Sequence, residues 1–182
     1  MAPDLHPDFH LPWVEAILAS PSVTITEVPT SQPKPPPTAA VSNAMFLQTL
    51  YHPTGIKFQL NFQRQTSEPD SIRPTEYCYL LSIGPGIDGK TGRAHGGFNA
   101  LVLDQMLGSL ASMVGGKGAP ATATMTVDYV NPIDTPGVVL VRGWAIERSG
   151  RKTWVRGTVE GEGGKVFCRG KALFVDPREE KM

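Results

Sequence analysis

Gly92-Arg93-Ala94-His95-Gly96-Gly97-Phe98-Asn99-Ala100-Leu101-Val102-Leu103-Asp104 is the stretch whose reading decides the fold. A His-Gly-Gly turn runs directly into the only long helix the sequence predicts, over residues 97–114. At about 100° per residue, Gly97, Ala100, Asp104, Gly108 and Ala111 gather on one face, and Val102, Met106, Leu110 and Met113 on the opposite one. The helix reads as buried on all sides, with the bulky face against a sheet. Asp104 lies at the centre of the small-residue seam. A carboxylate inside such an apolar run is costly unless something pairs with it or uses it. Gly115-Gly116-Lys117-Gly118 then stops the helix.

Strands flank this helix on both sides. Upstream, residues 46–51, 57–64 and 76–83 read as strands, the first two joined by the turn His52-Pro53-Thr54-Gly55. Downstream, residues 122–130, 138–148, 153–160 and 165–175 alternate in the same way. Tight glycine turns link the last three, which predicts an antiparallel meander. One long helix on a mostly antiparallel sheet is an α+β architecture. Before this core, residues 9–19 predict a short amphipathic helix and 23–28 a short edge strand. Five of the nine residues from Pro29 to Pro37 are proline, which predicts an extended linker. Residues 1–40 therefore read as an N-terminal extension and 41–182 as the main domain.

Composition narrows the function classes. The 182 residues carry 17 basic and 17 acidic side chains, so no excess positive charge draws nucleic acid or anionic lipid. No apolar run approaches the ~18 residues a membrane span needs. The acidic N-terminus has no hydrophobic segment, and the first arginine is Arg64, which argues against a signal or transit peptide. Cys78 and Cys168 read as free thiols on strands, with no Cys/His cluster for a metal. The expectation is a soluble cytoplasmic protein without a metal.

The turn and the carboxylate suggest a chemistry. A glycine pair opening a helix presents backbone N–H groups with the helix dipole behind them, an arrangement that stabilises an oxyanion. A carboxylate on an accessible seam can orient or deprotonate water. Together these are the parts for metal-free hydrolysis of an activated acyl group, with Gly96 and Gly97 as the oxyanion donors. His95, nine residues from Asp104, does not project beside it. On the helix, Phe98 and Leu101 are candidates to line an acyl chain. The hairpin turn Arg148-Ser149-Gly150-Arg151-Lys152 offers three cations for phosphates of coenzyme A.

His95-Gly96-Gly97, Asp104 nine residues after the histidine, and the strand from Thr122 through Tyr129-Val130-Asn131-Pro132 resemble the hot-dog-fold acyl-CoA thioesterases. The similarity is to the phenylacetic-acid-degradation type and its animal relatives in the thioesterase superfamily, the group with 4-hydroxybenzoyl-CoA thioesterase-like domains. It extends over residues 46–175. The resemblance implies a curved antiparallel sheet wrapped around one helix, and homodimers or dimers of dimers with the site between protomers. It implies that Gly96 offers its N–H to the thioester oxygen, with His95 shaping the turn. It also implies that Asp104 is general base or nucleophile and that Thr122 positions the water. The substrate would be an acyl-CoA or an acyl chain on a carrier protein, with no cofactor beyond the CoA of the substrate. Some relatives carry Asn or Gln six residues before the histidine, where this chain has Gly89. Two other readings stay open: a dehydratase or tailoring enzyme on the same fold, and a non-catalytic acyl-binding protein.

Overall fold

Proline at the first helical position opens α1 (Pro12–Leu18), and β1 (Thr24–Thr30) follows it. The structure, a computed structural model, describes residues 5–30, 43–116 and 118–178. Most of the Pro-rich segment, residues 31–37, lies outside the described residues. Then come β2 (Ile56–Gln65), β3 (Thr75–Ile83) and a small ribbon of β4 (Asp88–Lys90) and β5 (Arg93–Ala94). The long helix α2 spans Gly96–Gly115, and β6 (Ala121–Tyr129), β7 (Gly137–Ser149), β8 (Lys152–Glu160) and β9 (Val166–Val175) complete the chain. Seven strands form one antiparallel sheet in the order β1-β2-β3-β7-β8-β9-β6. The predicted meander is β7-β8-β9, and β6 closes on β9.

One prediction fails locally. Residues 46–51, read as a strand, form a π-helical turn over Met45–Leu50 that buries Phe46 and ends with the Tyr51 N–H donating to the Phe46 carbonyl at 2.9 Å. A six-residue apolar run satisfies either period, and nothing else in it favours a strand.

Each face of the sheet carries a packed layer over part of its area. On one, Phe9 and Val14 beside and within α1 pack with Leu60, Phe62, Cys78, Leu80 and Leu140. On the other lies α2, mainly across β7 and β8. The helix is not buried all round. Phe98, Val102, Leu103, Met106, Leu107, Leu110 and Ala111 are buried, whereas Met113 is 45% exposed. The seam containing Leu101, Asp104, Gln105, Gly108 and Ser109 is only partly covered. The edge strand β6 is largely exposed along its length. No helix among the described residues is long and apolar enough to cross a membrane.

Candidate active site

His95 caps α2. Its backbone is extended, and Nδ1 accepts a hydrogen bond from the Gly97 N–H at 2.9 Å, which places the ring proton on Nε2. A Cβ at position 97 would fall 2.9 Å from that Nδ1, so glycine is what lets the imidazole close over the helix end. Gly89 makes the same allowance from the other side, because a Cβ there would lie 2.8 Å from His95 Cδ2 and 3.0 Å from its Cα. The position where some relatives carry an amide side chain is thus occupied here by the histidine itself. The His95 N–H donates to Ile87 and the Ala94 N–H to Ile133, tying the turn to the loops on either side.

These bonds separate the two predicted oxyanion donors. The Gly97 N–H is already engaged by His95. The Gly96 N–H has no acceptor among the described residues. Tyr129, at the end of β6, fixes Gly96 from outside. Its hydroxyl donates to the Gly96 carbonyl at 3.1 Å, and its ring would lie 3.4 Å from a Cβ at that glycine. Sequence reasoning quoted Tyr129 as part of a motif but assigned it no role.

Two turns further along α2, Asp104 accepts a hydrogen bond at Oδ1 from Thr122 Oγ1, 2.8 Å away. Strict alternation along β6 puts Thr122 on the face opposite Met125, away from the helix. The structure places it toward the helix. Thr122 pairs with Phe174 and Thr124 with Leu173, so Ala123 is an extra residue in a β-bulge, and the bulge turns Thr122 onto the side of the core. The Asp104–Thr122 pair opens into a groove of about 670 Å³ whose walls include Tyr77, Ser109 and Glu27.

The remaining sequence candidates lie elsewhere. Phe98 is buried in the core, and Leu101 packs on its margin. Arg148 donates to Asp176 at 2.6 Å and to Thr153, beneath the C-terminal end of α2 at Gly115. Arg151 donates to the Asp176 carbonyl at 2.7 Å. Lys152 is exposed, and its side chain has no hydrogen bond or ion pair with another described residue. Of the three cations, Arg148 and Arg151 are therefore held by the protein, and Lys152 is the freest to meet an anion. A second depression, of about 660 Å³, lies on the opposite face of the sheet. Of the cations that line it, Arg142 pairs with Glu68, Glu76 and Glu160, and Arg156 with Asp70.

Residues 91–168 match the family model described as Thioesterase superfamily. The matched span contains His95, Gly96, Asp104 and Thr122, and it leaves α1 and β1 to β3 outside. Over 97 residues the chain is 32% identical to acyl-coenzyme A thioesterase THEM4 of Xenopus laevis, covering 53% of this chain and 43% of that one. A crystal structure of a thioesterase superfamily protein aligns at 27% identity and a TM-score of 0.52, covering 64% of this chain and 53% of the other. This chain thus spans about half the length of either relative. A hypothetical thioesterase from Streptococcus pneumoniae, solved with coenzyme A, aligns at 14% identity and a TM-score of 0.53, covering 58% and 84%. The antiparallel sheet with one long helix is the hot-dog fold, shared with these solved structures.

Proposed function

We propose that this protein hydrolyses acyl thioesters, of coenzyme A or of a carrier protein, to the free acid and thiol, and that it belongs with the phenylacetic-acid-degradation type. The observation that carries the reading is the Asp104–Thr122 hydrogen bond at the mouth of a groove. With Oδ1 held by Thr122, Oδ2 is left to accept from a water. As the water oxygen bonds to the thioester carbon, its proton passes to Asp104. The carbonyl oxygen becomes an oxyanion beside a backbone N–H. Collapse breaks the C–S bond, and the proton leaves with the thiol. The reading asks for no cofactor beyond the substrate's own CoA.

The oxyanion donor cannot come from the same chain. Gly96 and Asp104 are eight residues apart on one helix, about 12 Å along its axis, too far to act on a single carbonyl. A second copy supplies the turn. The exposed edge of β6, which carries both Thr122 and the Tyr129 that holds the turn, is the natural place for two copies to pair. A homodimer, or a dimer of dimers, is the proposed active form.

The test is thiol release from acyl-CoAs of graded chain length by the wild type and by Asp104→Asn. The variant is expected to lose about 10²- to 10⁴-fold in turnover with an unchanged circular dichroism spectrum. Near-normal turnover removes Asp104 from the mechanism. Enoyl product from a 3-hydroxyacyl thioester, without free thiol, makes the protein a dehydratase instead.

A further inference from the structure

Tyr129 is 57% exposed, so packing alone does not fix its ring. The end of β6 from which it projects is fastened to β9. Tyr129 pairs with Cys168, the N–H groups of Val130 and Asn131 both donate to the Phe167 carbonyl, at 2.8 and 3.0 Å, and Asn131 Nδ2 donates to the Val166 carbonyl at 2.7 Å. Just beyond Pro132, the Ile133 carbonyl accepts from the Ala94 N–H at 3.0 Å, which ties the same segment back to the turn before α2. From this footing the Tyr129 hydroxyl donates to the Gly96 carbonyl at 3.1 Å. That carbonyl and the Gly97 N–H belong to one peptide unit, and His95 Nδ1 accepts from the N–H at 2.9 Å. One peptide plane is therefore held at both ends, its oxygen by Tyr129 and its nitrogen by His95. On the other side, the His95 N–H donates to the Ile87 carbonyl at 2.8 Å. The unengaged Gly96 N–H lies between these two fixed points.

We infer that Tyr129 is a positioning residue for the proposed hydrolysis: it acts by fixing the direction of the Gly96 N–H, without touching the substrate. The inference rests on the thioesterase reading for what that N–H binds. The need for such a residue lies in the sequence. The first N–H groups of a helix have no partner within it, and the two residues that open α2 are glycines, which have the most backbone freedom to lose. A donor stabilises a developing oxyanion well only when its aim is set beforehand. Tyr129 supplies that restraint without occupying the donor, because it bonds the Gly96 carbonyl and leaves the Gly96 N–H open. Its ring covers one side of the same residue, since a Cβ on Gly96 would lie 3.4 Å from Tyr129 Cε1 and 3.6 Å from Cζ. The bond to the carbonyl also polarises the peptide unit, which strengthens the Gly97 N–H as the donor to His95.

The test is Tyr129→Phe in the full chain, which keeps the ring and removes the bond. With an acyl-CoA substrate, kcat is expected to fall about three- to tenfold, the worth of one neutral hydrogen bond, with KM unchanged. In a Gly96→Pro background, which lacks the N–H being aimed, the same substitution is expected to change kcat by less than about twofold. The order parameter of the Gly96 amide, from backbone NMR relaxation, is expected to drop from about 0.85 toward 0.6 in Tyr129→Phe. An unchanged kcat or an unchanged order parameter overturns the inference. So does an equal loss of kcat in both backgrounds, which makes the tyrosine a support of the fold and not of the donor. A raised KM with kcat unchanged overturns it too, by placing the hydroxyl on the substrate. If the wild type hydrolyses no thioester, the thioesterase reading fails. A Gly96 amide that loosens in Tyr129→Phe then still upholds the clamp, and one that stays ordered overturns this inference as well.

Discussion

Gly96 is the residue at which the proposed chemistry can be separated from the fold. It is the first residue of α2, the position in a helix where proline is best tolerated, because the N–H there has no partner within the helix. Its predecessor His95 already has φ −64° and ψ 139°, the extended conformation that a following proline demands. Gly96→Pro therefore deletes the one unengaged N–H of the turn while the helix keeps its start. The expected result is a loss of about 10²- to 10³-fold in kcat, with the melting temperature close to wild type. Unchanged kcat would show that the oxyanion is held elsewhere. The same scale shows where the sequence stops being legible. His95, Gly96, Gly97 and Asp104 stand out as residue types at a fixed spacing. That His95 withdraws the Gly97 N–H, and that a bulge at Ala123 turns Thr122 toward Asp104, follow from backbone geometry that alternation does not encode.

Among the elements, α2 and the β7-β8-β9 meander were readable because their signals are local: one helical run with a glycine stop, and glycine turns between alternating strands. The inner face of β2 was not. Gln59 and Asn61 alternate with Phe58, Leu60 and Phe62, and the simplest reading sends the amides to water. A second layer made by α1 claims the apolar side instead, so the amides turn inward. The attachment of this layer gives a pH prediction. Asp8, in the 3₁₀ turn before α1, accepts from Ser82 and pairs with Lys57 at 2.5 Å. Burial pushes its carboxyl up, but the bonds from Lys57 and Ser82 and the charge of Lys57 outweigh this and hold it below 3.8. A group lowered in the folded state stabilises above its unfolded value, and the contribution disappears as pH falls through the folded value. Asp8→Asn is thus expected to lower the melting temperature at pH 7, and the gap to wild type is expected to close as the pH is taken below 3.8. A gap that keeps its size as the pH is taken well below that value would show that the charge on Asp8 adds nothing to the hold on α1.

For the molecule as a whole, the decisive fact is a separation. The turn that offers Gly96 and the groove that holds Asp104 lie at different positions along one helix, so in the proposed dimer each protomer supplies half of each of two sites. Exposed β6, flanked by Thr122 at one end and Tyr129 at the other, links the proposed assembly to the proposed chemistry. This claim is tested most directly by mixing two inactive chains. Asp104→Asn keeps the turn and Gly96→Pro keeps the carboxylate, so a hybrid dimer holds one intact site and one doubly broken site. After co-refolding in equal amounts, with hybrids verified by native mass spectrometry, thioesterase activity is expected to return to about a quarter of wild type. Hybrids that form and stay as inactive as the parent variants would contradict a site shared between two copies.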